Sequence, residues 1–497
     1  MSKLVMKNNI KSELSITHAD NKPAKSIVGT DIAVAVDTIN DFPLDASDGD
    51  TVIVRDLNRG GTFIYDSTKV AGHNDGTNFN GWIRQYDGAV NVKWFGANET
   101  RTDNEVPIQS AVNISSEVYI PSGEYNTTSA IELNTGSILY GASIKGTTGL
   151  GTRIKCANRG FQNSFPSDSI KISNLRITGN NNSKGSDTFG INLYTSASCV
   201  IENCYIENFE NGLLIGKLQN CAFNNITVGA CYTGVQSQDL VTSPYFTVTS
   251  FDNVYVAGGS VRGFIISNAT NLKMSTCGAD GVDIGMYLTN CSQSIIDSFY
   301  TELDITYGIV LQACNNISIN NSNIFGAQSA GEGIYTNMYI DSCANLDIKN
   351  CSIGFGEQIT SGLSHIAFHN TNTNVYLDSD ILDATPIITG NPEYKYYNID
   401  KDNNISSQVI AKAIMSPSLN AVDVNKGFSS INRSSTGIVD FVFSSPLTSV
   451  FYIPLALSFD DCYISITNRS TTGFSLRIIN SSGALTNSSA INVIVYI

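Results

Sequence analysis

Leu272-Lys273-Met274-Ser275-Thr276-Cys277-Gly278-Ala279-Asp280-Gly281-Val282-Asp283-Ile284-Gly285-Met286-Tyr287-Leu288 and, a few residues on, Ser294-Ile295-Ile296-Asp297-Ser298-Phe299-Tyr300-Thr301-Glu302 carry one pattern twice. Around Thr276 the positions −4, −2, +1 and +3 are Leu272, Met274, Cys277 and Ala279; around Ser298 they are Ser294, Ile296, Phe299 and Thr301. Alternation with a period of two predicts strand, and the slip of phase at each marker predicts two short strands meeting at a bend. Outward from here the slip recurs at Asn174, Asn203, Asn225, Asn253, Asn321, Asn350 and Ser379, with gaps of 22 to 29 residues. Asparagine suits such a bend because it tolerates the left-handed backbone. Two residues before the nine markers stand Ile172, Ile201, Phe223, Phe251, Met274, Ile296, Ile319, Ile348 and Leu377, all apolar. Three residues after stand Ile177, Ile206, Val228, Val256, Ala279, Thr301, Ile324, Ile353 and Leu382, of which only Ala279 and Thr301 are not large and apolar.

A third strand starts at Gly190, Gly212, Gly263, Gly285 and Gly308, each thirteen residues ahead of its marker. Five residues ahead of the later markers, Asn271, Gln293, Asn316, Asn345 and Asn374 predict a ladder of stacked amides. Three short strands per turn, like stacked on like, predict an all-β chain built on a right-handed parallel β-helix. A leucine-rich repeat has a similar length, but its Leu/Asn consensus and convex helix are missing.

Composition agrees. The 497 residues include 53 asparagines and 41 glycines, and only 15% are charged, against about 25% in an average domain. Helix bundles and coiled coils are thereby disfavoured, and 42% hydrophobic residues exclude a disordered chain. A net charge of −15 argues against nucleic acid or an anionic membrane as partner. No apolar run reaches the roughly 18 residues of a membrane span. The start, Met1-Ser2-Lys3-Leu4-Val5-Met6-Lys7, lacks the apolar core of a secretion signal, so release by lysis is expected. The eleven cysteines show no metal-site spacing. Cys291, Cys314 and Cys343 share one column of the repeat, and Cys204, Cys277 and Cys351 another, so buried free thiols are expected and neither metal nor cofactor.

Asp103 to Asn113 predicts a short helix capped by Asp103, with Ile108, Ala111 and Val112 as the stripe that plugs the coil. The predicted organisation is an N-terminal arm (1–40), an entry segment (41–98), the β-helix (99–390), a linker (391–408) and a C-terminal antiparallel β-sandwich (409–497). The last rests on strands at Ile438–Phe443, Val450–Leu457, Cys462–Thr467, Phe474–Ile479 and Ile491–Ile497.

Gly60-Gly61-Thr62-Phe63-Ile64-Tyr65-Asp66, Asn74-Asp75-Gly76-Thr77 and Gly81-Trp82-Ile83-Arg84 lead into Val92-Lys93-Trp94-Phe95-Gly96-Ala97 and then Val118-Tyr119-Ile120-Pro121-Ser122-Gly123-Glu124-Tyr125. This order resembles the bacteriophage tailspike depolymerases with a pectate-lyase-like β-helix, over roughly residues 40–390. The resemblance implies a homotrimer on the virion, joined to a tail or baseplate protein through its N-terminus. It also implies a partner, a bacterial surface polysaccharide, that is gripped and usually cleaved at the host cell surface.

Repeat arithmetic places the site. The connector from second to third strand is long at 178–189 and 325–336. It is short at Glu207–Asn211, Gly229–Thr233, Ala257–Arg262, Asp280–Ile284 and Glu302–Tyr307. Five short connectors at about 4.8 Å each predict a trough roughly 24 Å long, with Asp239–Pro244 as a side wall. Its floor offers Glu207, Glu210, Tyr232, Arg262, Asp280, Asp283, Glu302, Asp304 and Tyr307. Asp280 and Glu302 share a column on successive rungs, where like charges repel and one pKa rises. Glycoside hydrolysis needs such a pair, one protonated and one ionised. A spacing near 5 Å suits retention and a wider one inversion. Ala279 and Thr301, the two weak core residues, immediately precede them. The catalytic candidates are therefore Asp280 with Glu302, then Asp283 and Asp304. Glu207, Tyr232, Arg262, Tyr307 and Tyr335 are the candidate sugar contacts. A polysaccharide lyase and a non-catalytic receptor-binding spike are the competing readings. A lyase wants cations beside a uronate, and the floor has one arginine. His365 and His369 lie beyond the trough.

Overall fold

The computed structural model describes residues 34–144, 151–238, 246–304, 306–326, 336–355, 364–369, 372–381, 388–389, 393–396, 409–415, 422–426, 428–435, 438–444, 453–458, 462–480, 484 and 491–496. The chain divides into two compact units, 1–396 and 397–497. Unit one is dominated by a right-handed parallel β-helix, with each rung hydrogen-bonded to the same strand one turn later.

Three columns of residues stack in parallel register along the coil. On the first face the parallel register runs Val118, Leu139, Ile172, Ile201, Phe223, Phe251, Met274, Ile296, Ile319, Ile348 and Leu377. On the second it runs Tyr125, Ile154, Ile177, Ile206, Val228, Val256, Ala279, Thr301, Ile324, Ile353 and Ile381. Ile381 pairs with Ile353 after a register shift between Lys349 and Ser352, and the expected Leu382 lies outside the described residues. The third face stacks Phe161, Ile191, Leu213, Val235, Phe264, Met286, Ile309, Met338, Ile366 and Ile388. The described side chains among these are sealed from water, which makes the coil interior the main source of hydrophobic stabilisation.

Eight of the nine markers, Asn174 to Asn350, bend with φ between 51° and 57°, Thr276 and Ser298 included. The amide ladder lies partly elsewhere than expected. Asn253 Nδ2 donates to Asn225 Oδ1 at 2.8 Å and Asn225 Nδ2 to Asn203 Oδ1 at 3.3 Å, along the marker column. Asn271, Gln293, Asn316 and Asn345 also take positive φ, but Asn345 donates out of its column, to Asn315 at 2.9 Å. The side chain of Asn374 is outside the described ones. The ten described cysteines are all buried, with no disulfide among them. Burial pushes the Cys156 and Cys204 thiols up to about 12 and Cys277 to about 11.

The opening turn of the coil is closed by α1 (Glu105–Ile114). It starts two residues later than the sequence predicts. Asp103 lies just outside it, where its carboxylate accepts the Glu105 N–H at 2.9 Å and the Thr128 hydroxyl at 2.6 Å. Ile108, Ala111 and Val112 are buried against the first rungs. The Gln109 side chain accepts the Glu132 N–H at 2.8 Å and donates to its carbonyl at 3.0 Å, so one amide pairs like a neighbouring strand.

Ahead of α1 lies a five-stranded sheet around Val52, Val54, Phe63, Phe79 and Trp82. Arg84 fastens it to the start of the coil. The guanidinium lies between the Phe63 ring (4.5 Å) and the Trp94 ring (4.4 Å) and donates to the carbonyls of Gly60, Arg59 and Gly76. A side chain at Gly61 would strike Arg84 at 2.6 Å, and one at Gly76 would strike the Phe95 ring at 2.3 Å. The entry motif is thus one interlock.

Glu393–Tyr396, at the start of the expected linker, is instead a further strand paired with Thr373–Leu377. The C-terminal unit is a β-sandwich of two four-stranded antiparallel sheets. Its sequence reading missed Val409–Met415, Val422–Lys426 and Phe428–Ser435. Ile491–Tyr496 is a central strand, paired with Val409–Met415 and Ile453–Ser458.

Candidate functional site

The corner between second and third faces shows a shorter trough than repeat arithmetic predicts. The long connector after Asn181 folds downstream over the first short ones. Asn182 Nδ2 donates to the Ala230 carbonyl at 3.0 Å, and Glu210 accepts the Gly185 and Asp187 N–H groups, each at 2.6 Å. Lys184 lies 5.9 Å from the Tyr232 ring and Arg262 lies 5.3 Å from it, so that ring is bracketed by two cations. Glu207 accepts from Arg176 at 2.7 Å and from Thr178 at 2.8 Å, with Arg153 at 3.5 Å, and its side chain is only 13% exposed. Glu210 anchors the connector, and Glu207 is spent in an ion-pair cluster.

Downstream of that cover the corner is almost bare of side chains. A side chain at Gly258 would meet nothing within 4 Å; Gly281 (φ +66°) lies 3.8 Å from the Gly258 backbone by the same measure. Gly259 turns against Ala230. Glycine here lets a ligand approach the backbone closely.

Asp280 and Glu302 border this trench. They are direct partners on adjacent rungs, after Gly278–Tyr300 and Ala279–Thr301. Contrary to expectation they lie in strands rather than on connectors: Asp280 ends Gly278–Asp280, and Glu302 sits in the middle of Tyr300–Asp304. Strand geometry fixes them at about 4.8 Å between backbones. Asp280 is half-buried and Glu302 exposed. Each is met by a tyrosine that the sequence reading missed. The Tyr255 hydroxyl donates to Asp280 Oδ2 at 3.2 Å, and the Tyr300 hydroxyl donates to Glu302 Oε2. That bond, with burial and the nearby carboxylates, pushes the Tyr300 hydroxyl up to about 12. Asp280 Oδ1 is shut off from water and has no hydrogen-bond partner. The signal for the tyrosines was their position two residues after a marker, outward on the second face and two residues before the carboxylate column.

The other candidates scatter. Asp283 acts through its backbone: its N–H donates to the Val261 carbonyl, and its own carbonyl accepts from Thr306 and Tyr307. Asp304 pairs with Gly326 after a register shift, and its side chain is outside the described ones. Tyr307 lies on the third face, 5.6 Å from Tyr339. Tyr335, Asp239–Pro244 and the second long connector at 327–335 lie outside the described residues, as does the side chain of His365. His369 stacks on Tyr339 and sits 3.5 Å from Asp341, away from the trench. The small Ala279 and Thr301 have a packing explanation, because Phe251, Phe264 and Phe299 fill the coil beside them. An open polar cleft of about 440 Å³ lies upstream, at the first rungs, and gathers none of the candidates. Among the described residues no group of His, Cys, Asp and Glu converges to hold a metal ion.

No family model matches the sequence, and no curated protein does. Solved structures do match. The gp42 tailspike of Acinetobacter phage vb_AbaP_AS12 is 14% identical with a TM-score of 0.58, over 92% of this chain and 93% of that one. The enzymatically active domain of tailspike protein 2 from bacteriophage CBA120 is 15% identical with a TM-score of 0.51, over 91% of this chain and 78% of that one. Together with the register of the coil, these likenesses give the chain the right-handed parallel β-helix fold of phage tailspike proteins.

Proposed function

We propose that the protein is a phage tailspike that binds a bacterial surface polysaccharide and cuts it by endo-glycosidic hydrolysis, with Asp280 and Glu302 as the carboxylate pair. The observation that carries this reading is their pairing on successive rungs beside a glycine-floored trench, each with its own tyrosine. In such a pair one carboxyl group gives its proton to the glycosidic oxygen as the bond to the anomeric carbon breaks. The other, ionised, takes a proton from the water that adds to that carbon, or attacks the carbon first. Among the described residues nothing covers the last three short connectors, enough floor for about three rungs of about 4.8 Å. Asp283, Asp304, Tyr307 and Arg262 are secondary candidates. As a tailspike the protein would work as a homotrimer held to the tail or baseplate through its N-terminal region.

The cations argue for hydrolysis over elimination. Lys184 and Arg262 both lie against Tyr232, upstream of Asp280. A lyase needs such charges on the uronate carboxylate beside the proton it removes.

The test is to incubate purified protein with capsule or O-antigen from bacteria to which it adsorbs, and to identify the chain ends. New reducing ends without a new carbon–carbon double bond support hydrolysis. Ultraviolet-absorbing unsaturated ends would make it a lyase, and binding without shortening would make it a receptor-binding spike.

A further inference from the structure

The +2 column of the second face holds Tyr255, Gly278 and Tyr300 on three successive rungs. Gly278 leaves a gap, and the Tyr255 ring leans into it. A side chain at Gly278 would stand 3.3 Å from Tyr255 Cδ2 and 3.4 Å from Cε2. Leaning there, the ring carries its hydroxyl to Asp280 Oδ2, at 3.2 Å, on the next rung. The other oxygen of that carboxyl group has no partner and no water contact. One hydroxyl is therefore the hydrogen bond that fixes which way Asp280 points.

We propose that Tyr255 is the positioning residue for Asp280, its hydroxyl holding that carboxyl group in one orientation on the rung beside Glu302. The inference rests on the reading of Asp280 as one of the catalytic pair. Glu302 takes its hydroxyl from Tyr300, two residues away on its own strand, whereas Asp280 takes its hydroxyl from the preceding rung. The two carboxyl groups are thus oriented by different side chains and respond separately to mutation. The titratable groups facing Asp280 are Tyr255 on the rung before and Tyr300 and Glu302 on the rung after.

Tyr255→Phe keeps the ring in the gap and removes only the hydroxyl. The probe is the surface polysaccharide that the wild-type protein shortens, with reducing ends as the readout. The expected result is a kcat about tenfold or more lower with KM within about twofold, as when an interaction specific to the transition state is lost, and an unchanged unfolding temperature. A Tyr255→Phe protein with wild-type kcat overturns the inference, provided Asp280→Asn is inactive. An Asp280→Asn protein at full rate overturns the catalytic reading beneath it instead. A loss in Tyr255→Phe matched by a fall in unfolding temperature makes Tyr255 a packing residue and overturns the inference too.

Discussion

The hydroxyl of Tyr300 is a local reporter of the candidate site. Its proton is held up to about 12 chiefly by the bond to Glu302, against an ordinary value near 10. Folding therefore binds this proton more tightly. The contribution is complete below about pH 10 and is lost as pH rises through about 12. In Glu302→Gln the anionic acceptor is gone, so the Tyr300 titration, followed by NMR of labelled tyrosine, should fall back toward about 10. Gly258 gives a second residue-level test. It has open space where a side chain would go and no positive φ, so Gly258→Gln should fold with an unchanged unfolding temperature while obstructing the trench. Polysaccharide cleavage should drop about tenfold or more, and unimpaired cleavage would move the binding site elsewhere. At this scale the sequence was only partly legible. Asp280 and Glu302 stood in one column by counting alone. Tyr255 did not stand out, because an outward tyrosine two residues after a marker, like Tyr205, looks like ordinary strand surface. Only the stacking of rungs shows that Gly278 lets it reach Asp280.

Among the elements, the entry sheet and its arginine are the most sensitive joint. Arg84 is 3% exposed and has three carbonyls and two aromatic faces for partners. Burial pushes its guanidinium down to about 10. Arg84→Met would leave the Gly60, Arg59 and Gly76 carbonyls without this donor, at about 1–3 kcal/mol for each group left buried and unmet. A loss of about 3 kcal/mol or more in denaturant unfolding is expected, and a change under 1 kcal/mol would contradict the interlock. The repeat was readable because burial inside a coil repeats one demand on every turn. Side chains at −2 and +3 must be apolar, and a bend must tolerate positive φ. The C-terminal unit lacks a period, and Val409–Met415, Val422–Lys426 and Phe428–Ser435 went unread for that reason. The length of the connector after Asn181 is legible, but its fold over Glu210 and Ala230 depends on backbone contacts that no residue type announces.

For the molecule as a whole, the described cysteines lie buried with no disulfide among them, so thiol titration after denaturation without reductant should find nearly all eleven as thiols. A mostly oxidised protein would contradict the packing role. The trimer is the other whole-molecule expectation. Ile491–Tyr496 is paired on both edges within its own chain, so any contact it makes between chains is through side-chain faces and not by adding a strand. Light scattering at micromolar concentration should give three times the 53.4 kDa chain mass; a monomer would remove the proposal. The central claim is that Asp280 and Glu302 cut a polysaccharide, and its most direct test is the reducing-end rate of Glu302→Gln beside the wild-type protein. The account predicts a fall of about 10²-fold or more, with polysaccharide binding and unfolding temperature retained. A Glu302→Gln protein that cuts at the wild-type rate would contradict it.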